Sequence, residues 1–262
     1  MTRGAGSLLA LAVGLAGAGC DDGLARDTQI DDLRLVALKL SPCEQRTGVV
    51  TQVSATIADP AREGARFSLW ICPAVGDCEV DSDTLEPGED VALTRLSIPG
   101  PGRLWALACA PEACDPDALT ESERRDPERW LARNGGPGVS AASADLAPVD
   151  PDAPPHPPSC LNPTLADVPA SEQTVSAGAV VGLVLSAEGA GVAWTWTTAG
   201  SFPQTEHELD GGVLDIDWSA PRTPGAADLF VVFGQIGSVG PDGDWIGPTL
   251  GVTVWIGHFT VE

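Results

Sequence analysis

Tyrosine is absent from this chain, and lysine occurs once, at Lys39. A single lysine in an unremarkable setting excludes lysine chemistry and a Walker phosphate loop. Bases of any kind are scarce: 14 Lys and Arg stand against 37 Asp and Glu, for a formal charge of −23. That balance argues against binding to nucleic acid or to an anionic membrane surface, both of which need clustered positive charge. Histidine occurs three times. What is present is apolar and turn-rich. Hydrophobic residues make up 43% of 262 residues, enough for real cores, and 30 Gly with 23 Pro imply many turns. The length suits roughly two domains of average size.

Residues 1–19 and Cys20 read MTRGAGSLLALAVGLAGAGC. Arg3 supplies a short positive region, and Ser7 to Gly17 an apolar stretch too short to span a bilayer comfortably. Ala18, Gly19 and Cys20 follow. The segment resembles a bacterial lipoprotein signal, in which a branched aliphatic, two small residues and a cysteine direct lipid attachment to that cysteine. Gly17 stands where leucine is usual, with Leu15 two places earlier. The alternative is ordinary secretory cleavage after Ala16-Gly17-Ala18. Cysteine parity favours the first. Setting Cys20 aside for lipid leaves Cys43, Cys72, Cys78, Cys109, Cys114 and Cys160, an even set suited to disulfides in an exported protein. Local pairing of Cys72 with Cys78, and of Cys109 with Cys114, leaves Cys43 for Cys160. A competing scheme pairs Cys72 with Cys109 across neighbouring strands.

The expected organisation is a signal over 1–19, a polar tether over 20–29, and a disulfide-containing β-sandwich over 30–135. A proline-rich linker over 136–160 and a second sandwich over 161–262 complete it. In the first sandwich, Leu33–Leu40 has mixed faces, as befits a strand partly covered on both sides. Phe67, Leu69 and Ile71 alternate with Ser68, Trp70 and Cys72. Short strands punctuated by Pro-Gly turns predict an antiparallel sandwich. Asp115-Pro116 and Asp126-Pro127 each place a capping acid before a first-turn proline, predicting one or two short helices appended to this domain. Pro148 to Pro158 holds six prolines in eleven residues, which favours a stiff extended spacer around a solvated His156.

In the second sandwich the strand candidates are Val180–Leu185, Val192–Trp196, Val213–Trp218, Leu229–Phe233 and Leu250–Ile256. Val192, Trp194 and Trp196 share a face assigned to the core, as do Leu214, Ile216 and Trp218. Gly240–Asp244 reads as a hairpin tip. Glu44-Gln45, Val49-Val50 and Trp70 have counterparts in Glu172-Gln173, Val180-Val181 and Trp194, so the two halves read as distant repeats. Ser176-Ala177-Gly178, Val192–Trp196 and Trp218-Ser219-Ala220-Pro221 resemble bacterial immunoglobulin-like domains of surface proteins. The resemblance implies spacing, adhesion or assembly rather than catalysis. The fold class expected is therefore all-β, with two immunoglobulin-like β-sandwiches.

No catalytic signature is visible. Ser238 in Ile236–Gly240 lacks the first glycine of a nucleophile elbow. Glu206-His207-Glu208 with Asp210 has no second histidine nearby, so a loop or strand edge is expected there instead of a metal site. The acids from Asp77 to Asp90 have oxygen ligands suited to calcium, but Thr84 replaces the glycine such a loop needs, and a solvated acidic loop is expected. Trp245, after a turn and two aspartates, and Trp255, opposite Val252, Val254 and Ile256, are the candidate ligand-stacking aromatics. The reading is a non-catalytic binding or structural module of the bacterial envelope, joined to a membrane by lipid on Cys20. No metal or cofactor is expected, and an envelope protein or polysaccharide is the partner class. The alternatives are a glycan-binding module using Trp245 and Trp255, and a hydrolase whose site the sequence hides.

Overall fold

The computed structural model describes residues 28–234 and 251–262, apart from 116–117, 127–129, 132, 134, 147, 149, 151 and 153–161. The expected signal, Cys20, Cys160, His156, the hairpin tip at Gly240–Asp244 and Trp245 lie outside the described residues.

The described chain is all-β, built as two pairs of packed sheets. In the N-terminal pair, β1 (Arg34–Ser41), β2 (Val50–Ala58) and β5 (Val91–Ser97) form one sheet in the order β1-β2-β5. Its partner sheet runs β4-β3-β6-β7, from β3 (Ala65–Pro73), β4 (Glu79–Leu85), β6 (Gly102–Cys109) and β7 (Val139–Leu146). In the C-terminal pair, β8 (Thr164–Leu165), β10 (Val180–Glu188) and β13 (Val213–Ser219) form the order β13-β10-β8. Facing it is the order β12-β11-β14-β15-β9. Its members are β9 (Glu172–Val175), β11 (Val192–Thr197), β12 (Glu206–Glu208), β14 (Gly225–Gly234) and β15 (Val252–Val261). Apart from the parallel β9–β15 pair, the strand ladders are antiparallel.

The strand orders of the two pairs correspond. β2 and β10 each lie between two neighbours in the smaller sheet, while β3-β6-β7 is matched by β11-β14-β15 in the larger. Trp70 and Trp194 therefore sit on equivalent strands, and Val50 and Val180 open equivalent ones. Glu44-Gln45 has no such equivalence, since Glu172-Gln173 lies in β9 and Glu44-Gln45 lies outside the strands.

Period-two alternation builds each core. Val53, Ala55 and Ile57 of β2 meet Phe67, Leu69 and Ile71 of β3 and Leu104 and Ala106 of β6. Leu183 and Leu185 of β10 and Ile216 and Trp218 of β13 meet Leu229, Val231, Phe233, Trp255 and Phe259. The outer face of β3 and β6 is also apolar, and carries a third cluster of Trp70, Trp105, Leu107, Leu119 and Trp130. Trp70 and Trp105 stack at 4.2 Å between centroids. The segment after β6 covers them. Helix α1 (Glu121–Arg124) begins at a capping box, with Thr120 as N-cap and Glu123 reaching back to it. A further helical turn carries Trp130 and Leu131, with Trp130 N–H donating to the Asp126 carbonyl at 3.1 Å. The start of α1 thus differs from the expected Asp115 cap, because the Thr120/Glu123 pair satisfies two orphan amides at once.

A fourth apolar layer joins the two sheet pairs. Ile30, Val36, Ala37 and Ala58 pack against Val192, Trp194, Trp196, Phe230, Val232 and Val252. A register shift between Leu35 and Ala37 makes this geometry work. The bulge lets Leu35, Leu38 and Leu40 face the N-terminal core while Val36 and Ala37 face the seam. Several expectations change accordingly. The Val192–Trp194–Trp196 face is buried, but against the first sheet pair; Ala193 is the residue that faces the C-terminal core. Thr28 and Gln29, expected at the end of a solvated tether, are held on β11: Ile30 N–H donates to the Thr197 carbonyl at 2.8 Å, and Thr197 N–H to Thr28 at 2.9 Å. Residues 139–146, expected in the linker, form β7, paired along β6. Their small alternating residues fit a strand, but proline density further on dominated the sequence pattern. The acidic run is partly β4, an edge strand on which Glu79 and Asp83 are exposed and half-buried Asp81 accepts from Thr94 Oγ1 of β5, and this row of carboxylates discourages pairing with another chain.

Candidate functional site

Two turns of the N-terminal pair and two strands of the C-terminal pair meet at one edge of the seam. The β2–β3 turn is closed by Asp59, whose Oδ2 accepts from Gly64 N–H at 2.8 Å. Arg62, within it, has a left-handed backbone with φ of 55°, which is uncommon outside glycine. That turn sends the Arg62 guanidinium across the seam, where Nη2 donates to Asp228 Oδ1 at 2.7 Å. Asp228 interrupts the apolar run of β14 and is only 4% exposed. Its neighbour across the β14–β15 ladder is His258, whose Nδ1 lies 3.0 Å from the same Asp228 oxygen. The other ring nitrogen, Nε2, lies 3.5 Å from Asp90 Oδ2, at the entry to β5. Asp90 is fixed in turn by its carbonyl, which accepts from Ile57 N–H at 2.8 Å.

Burial, and then the neighbouring Asp228 carboxylate, push the Asp90 carboxyl up to about 6, with His258 and Arg62 opposing that rise. A hollow of about 20 Å³ remains among Asp59, Arg62, Gly88, Asp90, Asp228 and His258, room for about one water. Beyond it a groove of about 440 Å³ opens along β9 and β15, lined by Arg62, Glu172, Thr174, Ala226, His258 and Thr260. The buried Asp228 carboxylate and the half-buried Asp90 carboxyl, whose proton affinity is raised, mark the place beside the groove where polar chemistry concentrates in this fold. The sequence signal for it was a polar residue inside an apolar strand, at Asp228 and again at His258; the Arg62 and Asp90 partners come from turns and carry no local signal.

The residues singled out from sequence have different fates. Trp255 is 5% exposed and belongs to the C-terminal core, so it is no ligand platform. Its face is opposite to Val252 and Val254 as expected, but that opposite face is the interior. Cys72–Cys78 and Cys109–Cys114 are disulfides and border the tryptophan cluster under α1. Cys43 is also disulfide-bonded. His207 lies on edge strand β12 and is nearly buried. Gln204 Nε2 lies 3.0 Å from its Nδ1, and its Nε2 lies 3.2 Å from both Thr195 Oγ1 and the Gln204 carbonyl. The amide donates to Nδ1, so Nε2 carries the proton and the ring is neutral; burial lowers its proton affinity. Among the described residues, no group of three or more His, Cys, Asp or Glu is arranged to hold a metal ion.

No family model and no curated protein matches the sequence. Among solved structures, the D0-D1 domain of intimin is similar at 12% identity and a TM-score of 0.26, covering 87% of this chain and 97% of that one. An ICAM-5 D1-D4 ectodomain fragment is similar at 14% identity and a TM-score of 0.24, covering 88% of this chain and 54% of that one. Superpositions this loose carry neither fold nor function to this chain.

Proposed function

We propose that the protein is an exported, lipid-anchored module of the bacterial envelope that acts by binding or by spacing, without catalysis. In this reading its two sheet pairs are immunoglobulin-like domains, and the lipid is carried by Cys20. The observation that carries it is the repeated strand order of the two pairs, together with the two disulfides formed in the first. Disulfides persist in oxidising compartments. A three-plus-four-stranded sheet pair followed by a three-plus-five-stranded one of corresponding strand order is an architecture of interaction modules more than of enzymes, an analogy of fold. The reading requires Cys43 to pair with Cys160 and leave Cys20 for lipid. Asn162 Nδ2 donates to the Leu40 carbonyl at 2.8 Å, which brings the chain two residues past Cys160 beside the end of β1, close to Cys43. The glycan alternative now rests on Trp245 alone. Mass spectrometry of the protein extracted from membranes, digested without reduction, tests the proposal. The expected result is an N-terminal peptide beginning at lipid-modified Cys20 and a Cys43–Cys160 linked pair. An unmodified Cys20, or Cys20 linked to Cys43, overturns the anchoring.

A further inference from the structure

The chemistry of the seam edge goes beyond holding two sheet pairs together. His258 has a carboxylate on each ring nitrogen: Asp228 at Nδ1 and Asp90 at Nε2. An ionised carboxylate only accepts, and a neutral imidazole has a single N–H. Asp228 is the closer partner and already holds Arg62, so the one N–H of a neutral ring sits on Nδ1. The Nε2 lone pair then points at Asp90. That contact is attractive only with a second proton, either on Nε2 or on the Asp90 carboxyl. The two partners belong to different sheet pairs, so the proton sits across the seam.

We propose that this junction is a proton-operated latch, in which Asp90 and His258 hold one shared proton and the two sheet pairs grip each other more tightly when it is present. The charges facing His258 from every packed element agree with this direction. The β2–β3 turn brings Asp59 and Arg62, the β4–β5 turn brings Glu89 and Asp90, β14 brings Asp228, and β9 brings Glu172. One cation thus faces five carboxylates before His258 is counted, and a proton taken up there relieves repulsion among them. The high proton affinity of Asp90 points the same way. The seam is therefore tighter in mildly acid than in alkaline solution.

Hydrogen exchange of the full chain, corrected for intrinsic rates, reads the seam through the amides of Ile30 and Thr197, which are bonded across it. Measured at about pH 5.5 and about pH 8, protection of these amides is expected to be about tenfold greater at the lower pH, one unit of coupled proton affinity being a factor of ten. Amides of β3 and β6, remote from the seam, serve as the control for global stability. Asp90→Asn mimics the protonated carboxyl and is expected to stay protected at both pH values. His258→Gln is expected to lose the pH dependence. A wild-type ratio near one, or an Asp90→Asn chain that keeps the wild-type ratio, overturns the latch. If either variant loses protection in β3 and β6 as well, the His258 ring in the wild-type chain decides by nitrogen-15 NMR. A His258 ring that remains neutral, facing an ionised Asp90, throughout the range where the seam is most protected overturns the proposal.

Discussion

Replacing Gly257 with alanine adds one methyl group to the middle of β15 and sets two opposed effects against each other. Trp255 and Phe259 flank Gly257 on the same face of the strand and are 5% and 2% exposed. Their rings fold over the bare glycine backbone. A methyl there would stand 2.9 Å from Phe259 Cε2 and 3.0 Å from Trp255 Cζ2, and closer still to Trp255 Cη2. Ordinary carbon–carbon contacts lie near 3.5–4.0 Å, so both rings must retreat by roughly 1 Å. Phe259 is held by Trp218, with centroids 5.0 Å apart, and Trp218 is fully buried, so the rings have little room to give. Overpacking of this kind costs about 1–3 kcal/mol. Against it, losing a glycine from the unfolded chain stabilises by about 0.4–1 kcal/mol. The steric effect wins, and Gly257→Ala is expected to destabilise by about 1–2 kcal/mol in urea unfolding followed by near-ultraviolet circular dichroism. Trp255→Phe removes the outer ring carbons that clash. The cost of Gly257→Ala measured in that background is expected to be smaller, a coupling that a double-mutant cycle reports. An unchanged or higher urea midpoint for Gly257→Ala alone would refute the packing argument and return Trp255 to the surface.

Two further outcomes follow from other parts of the fold. Replacing Cys72 and Cys78 together by alanine opens a loop with a sequence separation of 6; chain entropy for so short a loop gives a loss of about 2 kcal/mol in urea unfolding. The fluorescence of the adjacent Trp70–Trp105 stack should report the transition, and an unchanged midpoint would show that the apolar cover alone holds the cap. His207 is buried neutral, with proton affinity below the ordinary histidine value of 6.5. The unfolded chain therefore binds the extra proton first, so stability from this group is present above that value and is lost as pH falls below it. Urea midpoints of the wild type and His207→Gln, compared between about pH 7.5 and about pH 5, should diverge on the acid side, and parallel curves would refute the assignment.

Alternation over five to nine residues was enough to place most of the strands, because a half-buried strand writes its period of two directly into the chain. Cysteine spacing offered the local disulfides as one of two schemes, since Cys72 and Cys78 enclose a turn and Cys109 and Cys114 a second one, and the fold chose it over Cys72–Cys109. Alternation also marked β1 as covered on both sides. Periodicity says that a face is covered and is silent on what covers it. Trp194 and Trp196 were legible as buried, yet only the packed structure shows that β1 of the other sheet pair buries them. Trp255 failed for the related reason that both faces of β15 are occupied, one by the core and one by the seam, so opposition to an apolar face carried no information about solvent. The ionic junction was hidden most completely. Arg62, Asp90, Asp228 and His258 are separated by up to 166 residues in hydrogen-bonded pairs, and a set assembled by two turns and two strands has no local pattern. Composition and period determine which surfaces leave water; the closing of distant surfaces on one another, and the charges trapped at their edge, are decided only when the chain is folded.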